Sequence, residues 1–253
     1  MADSSLVFTV EKTCPLCGEV TRVTKAKSRL VVIKTDWDFC THYRDFNPYY
    51  YVPWVCEKCG YAADEKHFSA AMPTSHKKTI GDFLKRRHVE FKYSLERYMP
   101  DVVAAYKLAI FYEEMVHSSM AYRASLYLKL AWIYRIAEDT ENERSCLIRA
   151  AESYEKSIYT ERYPLGDLTD SMVMYLLGAM NYEMGDVEKA TQYISRIVND
   201  NGLRLSNPKL MDKIKDLWTE LREKRAEEQA KLAKKNAAGV AKLDAALEKR
   251  VKK

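Results

Sequence analysis

The pattern of apolar and polar positions changes character at Gly60. Before it, apolar residues alternate with polar ones in four short runs, at 6–11, 20–24, 29–35 and 50–55. A period of two is typical of β-strands. After Gly60, apolar residues recur every three or four positions, which indicates amphipathic helices. The pattern therefore predicts a small β module followed by helices.

Breakers and capping residues divide the helical part into segments. A capping box from Thr140 to Glu143 marks one helix start, and Gly185-Asp186 and Asn207-Pro208 mark two interruptions. The predicted helices cover 61–69, 76–97, 100–117, 119–138, 141–161, 170–184, 186–199 and 208 onward. Because their connections are short, we expect neighbouring helices to form antiparallel pairs.

One predicted helix pair has the spacing of a tetratricopeptide repeat (TPR). The matching positions are Leu177-Gly178, Asn181, Gly185-Asp186, Ala190 and Ile194, with Asn181 where a Tyr is usual. Leu130-Ala131 and Tyr134, followed by Ala150 and Tyr154, look like a degenerate second copy. Helix starts recur at intervals longer than the 34 residues of a regular TPR, so the array is TPR-like.

These elements predict an α+β chain that is mostly α. A zinc-ribbon-like β module with an aromatic-rich insertion occupies 1–75, an antiparallel TPR-like helical domain 76–218, and a long basic helix 219–253. The formal net charge is +5, from 41 basic and 36 acidic residues. Residues 219–253 hold 11 basic and 6 acidic residues, so the tail carries the whole excess. We expect a solvated tail helix, a partner-binding or self-associating helix, or a contact for an anionic polymer.

The apolar runs limit where the protein resides. The longest, such as 30–33, are far shorter than the roughly 20 residues of a membrane span. Met1 to Phe8 lack the basic start and apolar core of a secretory signal. We therefore expect a cytoplasmic protein without a membrane partner, whose six cysteines are reduced thiols.

Four of the cysteines form two C-x-x-C units, each followed directly by glycine. Their members are Cys14, Cys17, Cys56 and Cys59, with Gly18 and Gly60 next in the chain. Such a turn points two thiolates at one ion, and glycine supplies the positive φ that it requires. Four sulfurs complete the tetrahedral shell of one structural Zn²⁺. Two alternatives remain, namely unliganded buried cysteines and a redox pair at one C-x-x-C.

The other cysteines and the histidines do not predict an enzyme. Cys40 and His42 are close enough for a nucleophile and base or for spare metal ligands, but the sequence supplies no orienting acid at readable spacing. Cys146 lies in a predicted helix and reads as a small buried residue. The chain has no Gly-rich phosphate loop, no H-E-x-x-H and no G-x-S-x-G.

The insertion between the cysteine pairs is rich in aromatic residues. Eight lie between Trp37 and Trp54, more than a small ribbon buries by itself. They either pack against the rest of the chain or form a stacking platform for nucleic-acid bases. Asp36, Asp38 and Asp45 give this segment an acidic balance, which opposes phosphate binding.

The motifs together resemble an uncharacterised bacterial family. The resemblance is carried by the paired C-x-x-C units, Asp36-Trp37-Asp38-Phe39, Asn47-Pro48, and the runs 56–63 and 126–135, and it spans about residues 10–220. In that family a zinc-ribbon-like module precedes TPR-like helices and no activity is established. The resemblance thus implies architecture and a bacterial, cytosolic origin, and little about mechanism.

The predicted function is that of a non-enzymatic, zinc-stabilised scaffold that binds a peptide or protein partner in a TPR-like groove. The inward positions of the first helix of each pair would be Leu128, Trp132, Arg135, Tyr175, Ala179 and Tyr182. The alternative for Trp132 and Tyr175 is plain interhelix core. A second hypothesis is nucleic-acid binding by the ribbon and the basic tail. The partner's identity and the oligomeric state are not predicted.

Overall fold

The fold was analysed in a computed structural model that describes residues 6–85 and 96–251, with the side chains of the last helix described as far as residue 237. The chain divides into two compact units, Met1–Tyr163 and Pro164–Lys253. The predicted boundary at 75 lies inside the first unit, because helices after it pack on the β module. The predicted boundary at 218 lies inside a continuous helix.

Six short strands form three antiparallel two-stranded sheets within the described residues. They are β1 Val7–Thr13, β2 Val20–Ala26, β3 Val32–Thr35, β4 Thr41–Tyr43, β5 Pro53–Val55 and β6 Ala62–Asp64. Each strand pairs with its neighbour in sequence, β1 with β2, β3 with β4 and β5 with β6. The register of β3 against β4 shifts between Val32 and Lys34. All four predicted β runs contain an observed strand.

The predicted run 50–55 begins with a different element. Pro48–Tyr51 is a short 3-10 helix, and the strand β5 starts only at Pro53. Asn47 caps this helix, since its side-chain oxygen accepts a hydrogen bond from the Tyr49 N–H at 3.0 Å. Pro48 at the first helical position has a φ that suits a helix start and no N–H to leave unsatisfied.

Five helices complete the described part of the first unit: α1 Glu65–Ser69, α2 Thr74–Leu84, α3 Met99–Val116, α4 Met120–Ile136 and α5 Thr140–Thr160. Side chains of Asp64, Ser119 and Asp139 cap α1, α4 and α5. The helix predicted at 76–97 corresponds to α2, and residues 86–95 lie outside the described part. The pair α4 and α5, joined by three residues, is the most extensively packed helix pair of this unit.

The second unit contains α6 Asp170–Glu183, α7 Val187–Ile197, α8 Asn201–Ser206 and α9 Pro208–Val251. Gly178 on α6 allows close approach to α7, because a Cβ there would lie 2.5 Å from Ile194 Cδ1. Gly185, with a φ of +82°, makes the turn, and Asp186 caps α7. This pair has the small-residue contact that the TPR-like spacing predicts.

The long helix α9 is packed only over its first part. Its buried residues, Leu210, Met211, Ile214, Leu217 and Leu221, lie at helical spacing. From Arg222 to Ala237 its residues are exposed, apart from the half-exposed Lys224. The predicted fold class is confirmed: the chain is mostly helical, with small N-terminal antiparallel strands and a long C-terminal helix. Within the described residues, no helix is both long and apolar enough to span a membrane.

Candidate metal centre

The two C-x-x-C units have the same backbone geometry. In the turn after β1, the Gly18 N–H donates to the Cys14 carbonyl at 3.0 Å, and in the turn after β5 the Gly60 N–H donates to the Cys56 carbonyl at 2.8 Å. Both glycines have positive φ, +80° and +76°. A residue with a Cβ would be strained at either position, which explains why glycine follows each pair.

The four cysteine sulfurs converge from the two turns. All lie within 4.8 Å of one another, and the Sγ–Sγ distances are 3.7 Å from Cys14 to Cys59 and 3.8 Å from Cys17 to Cys56. A tetrahedral ion with metal–sulfur bonds of about 2.3 Å would place its ligands about 3.8 Å apart. The spacing therefore fits one four-coordinate metal ion, and the four cysteines lie close together as the sequence predicts.

The electrostatics of the cluster favour a cation. Hydrogen bonds from Cys14 and Cys59 lower the pKa of the Cys56 thiol. The contact with Cys56 raises the pKa of the Cys14 thiol, and the contact with Cys14 raises the pKa of the Cys59 thiol. A divalent ion compensates several thiolates at once, which is the chemistry that this donor set suits.

The cluster is buried on one side. Cys14 and Cys56 are buried, Cys59 is half-buried and Cys17 is exposed. The turn that carries Cys56 is held from two directions, by a 3.1 Å hydrogen bond from the Glu57 N–H to Thr21 Oγ1 and by one from the Tyr112 hydroxyl to the Gly60 carbonyl at 3.0 Å. Tyr112 belongs to α3, so the centre is fastened to the helices of its own unit.

A second cluster brings Asp36, Cys40 and His42 together, with ligand-type atoms within 4.8 Å of one another. These groups are already partnered. His42 Nε2 lies 2.6 Å from Asp36 Oδ2, a hydrogen-bonding distance, and Lys34 Nζ lies 3.0 Å from Asp36 Oδ1. The orienting acid that the sequence did not reveal for His42 is therefore Asp36, six residues earlier.

Arg135 joins this cluster to helix α4. Its guanidinium donates to Asp38 twice, at 2.9 Å each, to Asp36 at 3.1 Å and to Glu143 at 2.6 Å. Asp38 is fully buried and also accepts from the Trp132 indole N–H at 2.9 Å. We call Asp36, Asp38, Trp132, Arg135 and Glu143 the Arg135 network. It fastens the aromatic-rich insertion to α4.

The protonation state of Cys40, in the cluster with Asp36 and His42, argues against its acting as a nucleophile. Burial raises the pKa of Cys40 to about 12, and the nearby Asp38 carboxylate adds to the shift. Cys40 is also fully buried. Desolvation raises the pKa of Asp36, but the hydrogen bonds from His42, Lys34 and Arg135 outweigh it, and the net shift is downward. The pair Cys40 and His42 thus lacks an accessible thiolate.

The aromatic insertion packs largely against its own unit. Phe46 and Tyr51 are buried and stacked, with ring centroids 5.7 Å apart. Trp54 is buried and lies 5.8 Å from Phe68 in an edge contact, and the Tyr49 ring lies 5.0 Å from that of Trp132. These contacts are the internal packing that one of the two sequence alternatives predicts.

The six predicted partner-binding residues lie on two helices. On α4, Leu128 and Trp132 are buried and Arg135 is engaged in its network. On α6, Tyr175 and Ala179 are buried. Tyr182 is half-buried, donates to Glu220 Oε1 at 2.8 Å and lies beneath Lys224 Nζ, 4.0 Å from its ring centroid. The partner-binding role stays a prediction, and Tyr182 is the most accessible of the apolar and aromatic members.

Sequence reasoning did not find the network's acids. Asp36 and Asp38 entered the sequence analysis as acidic charge opposing phosphate and as part of the motif 36–39 of the family resemblance, and Glu143 as part of a capping box. The sequence contained one indication of these partners. Arg135 lies in the last turn of the largely apolar helix α4, and an arginine buried there requires carboxylate partners.

The fold and site together define a cysteine-clustered β module joined to helical hairpins. A family described as "Uncharacterized protein conserved in bacteria (DUF2225)" matches residues 7–221, and the chain belongs to this family. The resemblance stated from the sequence is therefore confirmed. No curated protein and no solved structure matches the chain. The matched region ends at Leu221, the residue at which the packed part of α9 also ends.

Proposed function

We propose that the metal of the four-cysteine centre is one structural Zn²⁺ per chain, held by Cys14, Cys17, Cys56 and Cys59 in the bacterial cytoplasm. The support is the donor set, four sulfurs at tetrahedral spacing, which is the usual environment of structural zinc. Because sulfur fills all four positions, no site remains for water or substrate. The ion stabilises the module and carries out no reaction.

We infer that the chain is a non-enzymatic scaffold that binds another protein. The observation that supports this inference is that the two clusters of potential metal ligands found within the described residues have internal uses. The four sulfurs would fill all coordination positions of the proposed metal, and the Arg135 network pairs its buried carboxylates with an arginine and an indole N–H. Side chains employed to fasten a module to helices fit a scaffold better than a catalyst.

Each helical hairpin offers a surface of its own for a partner, of the kind that helix pairs present in TPR-like proteins. Tyr182 provides the first test, because its half-exposed ring can be removed at modest cost to folding. We expect Tyr182→Ala to weaken binding of a captured partner by about 2 kcal/mol or more. Trp132→Ala tests the alternative: as a buried residue it should cost about 3 to 5 kcal/mol of folding free energy.

Nucleic-acid binding is the second candidate, favoured by the exposed part of α9. Between Arg222 and Ala237 lie six basic and three acidic residues, none of them buried. A basic exposed helix attracts phosphate, and its affinity falls steeply with salt as counterions are released. The three acidic residues weaken this field, so we rank the hypothesis below the scaffold.

The two candidates are separated by charge variants of the full chain. Lys231, Lys234 and Lys235 are changed together to Gln, and a matched control changes Lys77, Lys78 and Lys85, which are exposed residues on and just after α2. Binding of a mixed-sequence single-stranded RNA is measured by fluorescence anisotropy at low and at physiological salt. Protein partners are captured from a nuclease-treated bacterial extract and identified by mass spectrometry.

For a scaffold we expect weak RNA binding at physiological salt and the same captured partner with wild type and both variants. Tight RNA binding that the α9 variant loses and the α2 variant keeps would replace the scaffold by nucleic-acid binding. Failure of nuclease-treated extracts to yield any reproducible partner would count against the scaffold.

A further inference from the structure

A cavity of about 180 Å³ lies among β6 and the helices α1 to α4 of the first unit. Much of its wall is apolar, and Ala62, Ile80 and Ala109 in this wall are buried. Two further wall residues, Ala71 and Pro73, are exposed, so the cavity can be reached from solvent. A mostly apolar cavity that contains a few polar groups is the usual form of a small-molecule site.

Glu113 of α3 lines this cavity and is only 5 % exposed. Its carboxylate accepts hydrogen bonds from the Ser119 N–H at 2.7 Å and from the Ser118 hydroxyl at 2.6 Å. Both donors are neutral, and Glu113 forms no ion pair with any residue that the structure describes. A buried carboxylate is normally paired with a cation. The N-terminus of α4, equivalent to roughly half a positive charge, offsets the carboxylate only in part.

Tyr61 lines the same cavity with a hydroxyl that the described part of the protein does not use. The residue is 7 % exposed, and its ring lies 5.8 Å from that of Phe68 and 5.6 Å from that of Tyr112, measured between centroids. Its hydroxyl has no hydrogen-bond partner among the described residues. Because buried tyrosine hydroxyls usually find a partner, a ligand in the cavity can supply the missing one.

Aromatic rings form another part of the wall. Tyr61, Tyr112 and Tyr122 line the cavity, and the His67 ring stacks on Tyr122 with centroids 3.4 Å apart. The faces of tyrosine rings attract cations, most strongly where water is excluded, and clusters of such rings recognise alkylammonium ions. A metal ion fits less well, because Glu113 belongs to neither group of metal-ligand atoms found within the described residues.

We propose that this cavity binds a small organic ammonium ion with apolar substituents. Its charge is compensated by Glu113 and by the tyrosine rings, its substituents contact the apolar wall, and a polar group of the ligand pairs with the Tyr61 hydroxyl. A cavity of about 150 Å³ can hold benzene, so this one accommodates a ligand of about seven heavy atoms.

The cavity includes none of the four clustered cysteines and none of the six predicted groove residues. The inference therefore goes beyond the scaffold function, and its test is independent of any protein partner.

The first test compares choline with 3,3-dimethylbutanol, an uncharged molecule of the same shape in which carbon replaces the choline nitrogen. Binding of each compound to the zinc-loaded full chain is measured by isothermal titration calorimetry. We expect the dissociation constant of choline to be at least about tenfold lower, because the rings and the carboxylate attract the charge.

The second test removes the carboxylate charge. Glu113→Gln keeps a carbonyl acceptor and should raise the dissociation constant of choline about tenfold or more, while that of the neutral alcohol stays unchanged. Glu114→Gln is the matched control. It removes the same charge from the next residue, which accepts a hydrogen bond from Tyr127 and lies outside the cavity wall, and both constants should remain as in wild type.

The third test fills the cavity. Val116 is a half-buried wall residue of α3, so Val116→Phe should block both compounds at modest cost to folding. Met115→Phe is the control, since Met115 is half-buried on the same helix and lies outside the wall. Circular dichroism and zinc content show whether each variant is folded.

Equal affinity for choline and the neutral alcohol would overturn the proposal, and so would choline binding that a folded Glu113→Gln variant leaves unchanged. Choline binding that survives Val116→Phe would place the ligand outside this cavity. No saturable binding of choline up to about 10 mM would likewise overturn the proposal. If Glu113→Gln does not fold, the comparison of the two compounds and the Val116→Phe variant still decide.

Discussion

Replacing Arg135 by methionine tests how strongly the Arg135 network holds the aromatic insertion on α4. Methionine keeps an apolar stem in place of the arginine methylenes and removes the charge together with four hydrogen bonds. Asp38 loses the most, because two of these bonds end on its carboxylate and it is fully buried. Asp36 keeps its contacts with His42 and Lys34.

The size of the effect follows from what remains around Asp38. Removing one partner of a buried ion pair typically costs about 3 to 5 kcal/mol. The Trp132 indole N–H at 2.9 Å and the Cys40 N–H at 3.2 Å still donate to Asp38 and satisfy part of its charge. We therefore expect a loss near the lower end, about 3 kcal/mol in the free energy of unfolding.

The assay is urea unfolding of the zinc-loaded chain, followed by circular dichroism and by tryptophan fluorescence, to which Trp132 contributes together with Trp37, Trp54 and Trp218. The control is Lys85→Met. Lys85 pairs with Asp82 at 3.4 Å, with exposed fractions of 79 and 50 %, and exposed pairs contribute less than about 1 kcal/mol. A loss below about 1 kcal/mol for Arg135→Met would refute the reasoning.

A double-mutant cycle identifies the cause of the loss. If the uncompensated Asp38 charge is responsible, Asp38→Asn should cost less in the Arg135→Met background than in wild type. We expect a coupling energy of about 1 kcal/mol or more. Additive effects would show that Arg135 and Asp38 act on stability separately.

Three further predictions concern the metal, the pH dependence and the α6–α7 contact. Elemental analysis of the purified protein should find one zinc per chain. Cys56→Ser should abolish zinc binding, because an incomplete coordination shell leaves thiolates uncompensated. Cys40→Ser should leave the zinc stoichiometry unchanged. Because the pKa of Asp36 is lowered from 3.8 in the folded chain, the ionised Asp36 contributes its full stabilisation above pH 3.8, and this stabilisation is lost as the pH falls through the lower folded pKa. The stability difference between wild type and Asp36→Asn should therefore narrow in acid-unfolding curves below pH 3.8. A stability difference that widens below this pH would contradict the downward shift of the Asp36 pKa. Gly178→Ala should lower stability by about 1 to 3 kcal/mol in thermal melts, because its Cβ would overlap Ile194, and Ile194→Val, which removes Cδ1, should recover part of that loss.

The features predictable from sequence are those with local causes. The two C-x-x-C units, each with its glycine, predicted the cysteine cluster because turn geometry is set within five residues. Helix ends were predicted to within a few residues for α3 to α7, where caps and breakers mark them. The strand β4 and the helix α8 were missed, and the helix predicted at 61–69 was wrong over Ala62–Asp64, which form β6, because elements of three to six residues show no clear period.

The features that sequence did not reveal depend on distant contacts. Asp38 and Arg135 are 97 positions apart, and neither position alone indicates that the other is its partner. For the same reason Trp132 and Arg135 were assigned to a binding groove: an aromatic beside an arginine is common to binding surfaces and to buried networks. The boundary predicted near residue 75 lies inside the first unit, because the packing of α3 on β5 and β6 leaves no local mark in the sequence.

That separation of 97 residues has a consequence for how the chain is made. At about 5 to 20 residues per second, a ribosome adds Arg135 roughly 5 to 20 s after Asp38. Cys59, by contrast, is synthesised long before α4. All four cysteines of the cluster therefore leave the ribosome while Asp38 is still solvated and unpaired with Arg135. The β module can thus take up its ion first, and the insertion docks when α4 emerges. Ribosome-bound chains that end before α4 should accordingly retain zinc while the rings of the insertion remain accessible to solvent quenchers.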